Sequence, residues 1–273
     1  MALKPSPGSG GQQRLLATLI FFLLATNVLV DRLFGEDDEG IVANPNRPTV
    51  SNPADITQYG VLELEYGIQA DSSGKMFCGL LKFAAAKNLE LRLDSDTYQS
   101  DSSLHESGFG DMDIGFQYRF LQQSKQRPSM SIALSSKIPT ATDSLGSGKW
   151  DHQILWLASK DIGAYHADLN LDFEFLGRSD ASGYDNVVAP ALAISHSFKR
   201  NYVIAGEISG TTRQNHEEPG TLSTLWAISY SVRPRFVIDS AVSFNLKGPG
   251  SNCTFLGGFT YSIADLYHPH HKS

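Results

Sequence analysis

Polar and apolar residues alternate along much of this chain, and residues 108–121 (GFGDMDIGFQYRFL) show the pattern most cleanly. Met112, Ile114, Phe116, Tyr118 and Phe120 share one face of an extended segment. Asp111, Asp113, Gly115, Gln117 and Arg119 share the other. Side chains of a strand alternate between its two faces, so this segment predicts a strand with an apolar and a charged side. Two architectures put those sides in opposite places. A soluble sandwich packs the apolar face inward. A membrane barrel turns it to lipid and lines its lumen with the charges.

The same pattern recurs. The first strand is read over 59–69, with Glu63 and Glu65 opposing Leu62, Leu64, Tyr66 and Ile68. Further strands are read over 76–86, 89–94, 108–121, 129–139, 152–160 and 164–176. The remaining five are 187–198, 202–212, 221–232, 236–246 and 253–263. That makes twelve, with ten as the alternative because 76–86 alternates poorly and Pro190 interrupts the eighth. Pro190 is expected at a strand end or a bulge, where no ladder donor is needed.

Strand length and loop alternation favour the barrel. The best strands approach the roughly 9–11 residues that span a bilayer, against a mode of about 5–6 in soluble sheets. Connections after the second, sixth, eighth and tenth strands are short (KN, DIG, KRN, RPR). Those after the third, fifth, seventh and ninth are longer. Outer-membrane barrels have short turns on one side and long loops on the other. The fold expected is all-β, an antiparallel transmembrane β-barrel, with a soluble β-sandwich binding module as the alternative.

Upstream, residues 15–30 (LLATLIFFLLATNVLV) follow Arg14 and form an apolar run shorter than a spanning helix prefers. Residues 1–35 are read as a secretory signal or retained anchor. Residues 36–57 are acidic, then rich in Pro and Asn, and are read as a flexible lead-in. The barrel is assigned to 58–266 and a His-containing tail to 267–273.

Several segments, in order, carry a family resemblance: LLKFAAAKNLELRL (80–93), GFGDMDIGFQYRFL (108–121), SKIPTATDSLGSGKWDHQ (136–153) and APALAISHSF (189–198). Across roughly 58–263 the chain resembles the outer-membrane family associated with meta-pathway phenol degradation. The chain departs from its pattern at AAAK (84–87), where a glycine-containing turn is expected. It departs again in the ten residues after Ile263, where such barrels commonly end on an aromatic. The resemblance implies an outer-membrane barrel, with hydrophobic or aromatic compounds as the implied cargo.

Charge refines the function. The formal net charge is −7. It becomes −9 without Lys4, Arg14, Asp31 and Arg32 of the leader. Nucleic acid is therefore excluded as a partner. The lumen set of the first three strands is Glu63, Glu65, Glu90, Arg92 and Asp94. The next strands add Asp111, Asp113, Arg119, Lys137 and the row His166, Asp168, Asp172 and Glu174. Glu207 and Arg213 complete it. Acids outnumber bases, which favours cations in a hydrated pore. Twelve strands lie between a side-chain-filled small barrel and a wide porin, so a narrow or partly obstructed lumen is expected. The family resemblance singles out Trp150 and Asp151 at the end of the outer loop 140–151, where it implies that Asp151 orients the return into the sixth strand.

No catalytic, cofactor or metal site is expected. His166, Asp168, Asp172 and Glu174 lie along one strand face with alternate residues roughly 7 Å apart, too far for a metal without help from other strands. His105 and Ser107 lack an orienting third group, and His196 has no Ser two positions away. Cys78 and Cys253 are expected as free thiols, because next-but-one strands lie beyond disulfide reach. The expected function is a channel passing small molecules. The alternative is a non-conducting structural or adhesion barrel. The expected partners are outer-membrane lipid, small solutes and the outer-membrane assembly machinery.

Overall fold

The computed structural model describes residues 40–142, 145–178, 182–199, 201–213 and 219–268. The leader assigned to 1–35 and the last five residues of the tail lie outside the described residues. The chain from Ile41 onward forms one compact unit.

Its strands are β1 (Val61–Ala70), β2 (Gly74–Ala86), β3 (Leu89–Asp101), β4 (Glu106–Gly108), β5 (Met112–Leu121), β6 (Ser129–Ile138) and β7 (Asp151–Ile162). They continue as β8 (Tyr165–Gly177), β9 (Tyr184–Phe198), β10 (Tyr202–Gly210), β11 (Leu222–Arg233), β12 (Phe236–Lys247) and β13 (Cys253–Asp265). The three-residue β4 only extends the loop end of β3. The other twelve are staves. Each pairs antiparallel with its chain neighbours, β1 pairs with β13, and the ladder closes on itself. A closed ladder leaves no edge of unpaired amides to face lipid.

The alternation decides which face is inside. Ile114, Tyr118 and Phe120 are 49%, 44% and 50% exposed, whereas Gln117 between them is fully buried. Leu91, Ile194 and Trp226 likewise point outward. The apolar face meets lipid and the polar face turns inward, the arrangement of a membrane barrel.

Several boundaries differ from the sequence reading. β3 runs on to Asp101 rather than stopping at Asp94. Its second half, Ser95–Asp101, is polar on both faces, so no alternation marks it, yet its ladder with β2 continues. Pro190 sits in the middle of β9 rather than at an end. The reason is local: the regular β9–β10 register ends at Ala191, and contact resumes beyond Pro190 where the Thr212 amide donates to the Val188 carbonyl at 2.8 Å. Pro190, which has no amide to donate, therefore sits at an interruption of the pairing. Both cysteines are free. By the alternation of their strands, Cys78 faces the lumen and Cys253 faces out.

The largest departure is the lead-in. Residues 41–57 are not a flexible approach to the barrel. They run inside it.

Candidate functional site

The segment enters at the short-turn end, where the Ala43 amide donates to the Pro234 carbonyl, 2.9 Å. It climbs the lumen to about Val50, descends, and joins β1 at the same end. Rich in Pro and Asn, it makes no strand of its own, so its main-chain donors need side-chain acceptors. The lumen acids supply them. Glu63 Oε2 accepts the Asn44 amide at 2.9 Å. Glu65 accepts the Asn46 and Arg47 amides at 2.9 and 3.1 Å. Across the lumen, Glu207 accepts the amides of Val50 and Ser51 and the Ser51 hydroxyl, at 3.1, 2.7 and 2.6 Å.

The descending half is held differently. Asn170 exchanges two hydrogen bonds with the Asn52 main chain. Ser159 Oγ accepts the Ala54 amide at 2.7 Å and itself donates to Asp168. Gln117 donates to the carbonyls of Pro53 and Ala54, and Ser131 donates to the latter as well. Arg119 pairs with Asp55 at 2.9 Å, and Glu90 accepts the Thr57 amide at 2.7 Å.

One cation is central to this wall. Lys82 on β2 is fully buried, with Nζ 2.7 Å from Glu63 and 2.6 Å from Glu65. It also donates to the Asn44 carbonyl at 2.6 Å and to Asn46 Oδ1 at 3.2 Å. Two buried acids and one buried base are bound together with the segment they hold. Lys82 was missed in the sequence reading because 76–86 alternates poorly. Arg92 pairs with Glu90 at 2.9 Å.

Toward the loop end the lumen stays acidic. Lys137 bridges Asp111 and Asp151. Asp111 also accepts the amides of Thr140 and Ala141, and Asp151 accepts the Gly177 amide, which ties the outer loop down. Trp150 beside it is exposed. Asp113 and Asp94 face each other across β5 and β3. Asp172 takes a hydrogen bond from Gln153, and Glu174 lies one pleat further along β8. At the short-turn end His166 sits between Asp161 and Asp168, at 2.6 and 3.0 Å. Arg213 lies in the loop after β10, exposed. In the β1–β2 loop, burial pushes the Asp71 carboxyl up, but hydrogen bonds from the Ser73 hydroxyl and amide, the Ser251 hydroxyl and the Gly74 amide together outweigh it and hold its pKa below the ordinary value. Among the described residues no group of three His, Cys, Asp or Glu is placed to hold a metal.

Space remains on both sides of the segment. A cavity of about 550 Å³ opens at the short-turn end, between Pro45–Thr49 and the small side chains Ala193, Ser195, Ala205 and Ser229. A cavity of about 320 Å³ lies above the segment, walled by Val50, Asn52, Asp172, Glu174, Pro190 and Ser209. Pro190, Ala191, Ser209, Gly210, Thr211 and Thr221 line that interior cavity. They also line an apolar notch of about 350 Å³ on the lipid side, with Leu169, Leu192, Ile208 and Leu222. The notch falls where the regular β9–β10 register is interrupted, between Ala191 and the Val188–Thr212 contact.

Solved structures share this architecture. An outer-membrane channel of Pseudomonas putida F1 matches at TM-score 0.60 and 14% identity, covering 83% of this chain and 99% of the channel. The NanC porin matches at TM-score 0.56 and 9% identity, covering 73% and 98%. The KdgM porin, solved with disordered oligogalacturonate, matches at TM-score 0.54 and 12% identity, covering 74% and 99%. At these identities the likeness is one of fold. No curated protein matches the chain. The family model described as "MetA-pathway of phenol degradation" matches residues 46–263, which takes in the segment from Asn46 as well as every stave. The chain is therefore a transmembrane β-barrel of the bacterial outer membrane and a member of the MetA-pathway phenol-degradation family.

Proposed function

We propose that this barrel carries small hydrophobic or aromatic molecules across the outer membrane, with its lumen closed at rest by residues 41–57. The observation that carries the reading is the Pro190 break. An interior cavity and a lipid-side apolar notch share six wall residues there. A solute dissolved in lipid has an apolar surface to settle on and one thin stretch of wall to cross. The family's link to phenol degradation supports the same class of cargo. The lumen charges set which hydrated solutes follow, and their acidic excess favours cations over anions. No residue of the lumen performs covalent chemistry in this reading.

A second reading has its own support. The hydrogen bonds to residues 41–57 come from β1, β2, β3, β5, β6, β7, β8, β10, β12 and β13, which suits a permanently blocked, structural barrel. Uptake of a fluorescent hydrophobic probe, N-phenylnaphthylamine, by intact cells separates the two. Cells displaying the chain are expected to take it up faster than cells displaying Pro190→Ala, which restores a ladder donor at the break. Uptake no faster than in cells without the protein favours the structural barrel.

A further inference from the structure

Arg47 occupies a place in the wall that looks built for its end group. Gly67 on β1 and Gly258 on β13 are cross-strand partners, and Gly258 is opposite Asp239 on β12. All three face the lumen. The two glycines leave a trough in the wall, and the Arg47 guanidinium lies in it. A Cβ at Gly67 would overlap the guanidinium carbon and both terminal nitrogens, and one at Gly258 would stand 2.7 Å from Nε. Asp239, its side chain 2% exposed, caps the trough. Arg47 Nε and one terminal nitrogen reach its two carboxylate oxygens at 3.4 Å each. The same terminal nitrogen donates to the Gly257 carbonyl at 3.1 Å.

The fit is selective. A flat, five-donor fork matches a flat trough ending in a carboxylate and a carbonyl, whereas a tetrahedral ammonium fills neither the plane nor the fork. The trough is also reachable. Arg47 borders the 550 Å³ cavity at the short-turn end and a second cavity of about 390 Å³ on its loop side. The Arg47 guanidinium is held by contacts of 3.1–3.4 Å, longer than the 2.6–2.7 Å that separate Lys82 Nζ from the Glu63 and Glu65 carboxylates. Without Arg47, a nearly buried carboxylate stands in the wall with no cation, which favours any planar cation that reaches it.

We propose that the Gly67–Gly258–Asp239 trough is a binding site for guanidinium-bearing solutes, and that Arg47 is an internal stand-in for such a solute. A solute that takes the trough displaces Arg47 and releases the ascending half of the segment. This rests on the reading that solutes reach the lumen, but the site binds whether or not the barrel conducts.

The test is a titration of the folded, detergent-solubilised full chain carrying Arg47→Ala. Methylguanidinium is the probe, methylammonium the control, and folding is checked by the heat-dependent gel shift. Saturable binding is expected, tighter than methylammonium by on the order of tenfold, and lost in Arg47→Ala/Asp239→Asn and in Arg47→Ala/Gly67→Ala. Equal binding of the two cations overturns the proposal, as does binding that survives both second substitutions. The unsubstituted chain gives an independent readout. Methylguanidinium, and not methylammonium, is expected to speed hydrogen exchange at the amides of Asn46 and Val50. Exchange that does not change overturns the competition. Neither readout requires conduction, so silence in a bilayer would count against the transport reading and leave this one standing.

Discussion

The two halves of the lumen wall are built on opposite plans. From β1 to β5 the inward side chains are long and charged: Glu63, Glu65, Lys82, Glu90, Arg92 and Arg119. Glu63, Glu65, Lys82 and Glu90 are buried beneath residues 41–57, and Arg92 and Arg119 are half-buried beside them. At the short-turn end of β9 to β11 the lumen wall carries the short side chains Ala193, Ser195, Ala205 and Ser229. They leave a cavity of about 550 Å³ between wall and segment. One wall grips and the other gives room. A gripping wall needs a polar partner for every buried group, and the segment's free amides provide it. The difference teaches that the obstruction is asymmetric, with the space beside it along β9–β11.

The comparison breaks first if the segment is not the obstruction. A chain begun at Gln58 keeps every stave and loses the contents of the lumen. Its single-channel conductance is expected to rise on the order of tenfold over the full chain, since a water-filled pore is limited by its cross-section. A change within experimental scatter would mean that the wall closes without help.

The gripping wall is tested next at Lys82. Replacing it by Met leaves Glu63 and Glu65 buried side by side with no cation. Breaking a buried ion cluster by removing one partner costs about 3–5 kcal/mol. The midpoint of urea-driven unfolding in lipid vesicles is expected to fall accordingly. A loss below about 1 kcal/mol would mean that the cluster is hydrated.

On the far side Glu207 is the charged acceptor for the apex of the segment, Val50 and Ser51. Glu207→Gln keeps one acceptor oxygen and removes the charge. The expected cost is about 1–3 kcal/mol, confined to the apex, with a faster exchange of the Val50 and Ser51 amides and an unchanged barrel midpoint. A fallen midpoint would make the apex part of the barrel's core.

How much of this was legible in the sequence follows from the range of the forces. The strands were, because alternation along Met112–Phe120 is set by neighbours two residues apart. The far half of β3 was not: Ser95–Asp101 carries the ladder past the apolar band, where neither face needs to be greasy. The segment 41–57 was read as flexible because Pro and Asn give it no periodic pattern. Its order comes from Glu207 and Asn170, more than a hundred residues away, and nothing near Ser51 announces them. Glu63, Glu65 and Glu90 were singled out as lining charges, but their role as acceptors for the chain's own backbone was not visible. A signal did exist for the Arg47 trough. Glycine inside a strand marks close approach of another group, and Gly67, Gly257 and Gly258 all sit inside first and last strands.

The smallest effect is expected on the wall that gives room. Ala205 points into the short-turn cavity, with Ala227 and Ser195 beside it. Ala205→Leu adds volume to a space that holds no side chain, so it displaces neither the segment nor a partnered polar group. Stability is expected to stay within about 0.5 kcal/mol. The new side chain narrows the space between wall and segment, so any conductance of the full chain is expected to fall. The two measurements read different things: the urea midpoint reports packing, and the current reports the remaining passage. A drop in midpoint approaching that of Lys82→Met would show that the cavity is closed by packing and that both walls grip. A steady midpoint with a reduced current would place the path of solutes along β9–β11, on the same side of the lumen as the Pro190 break.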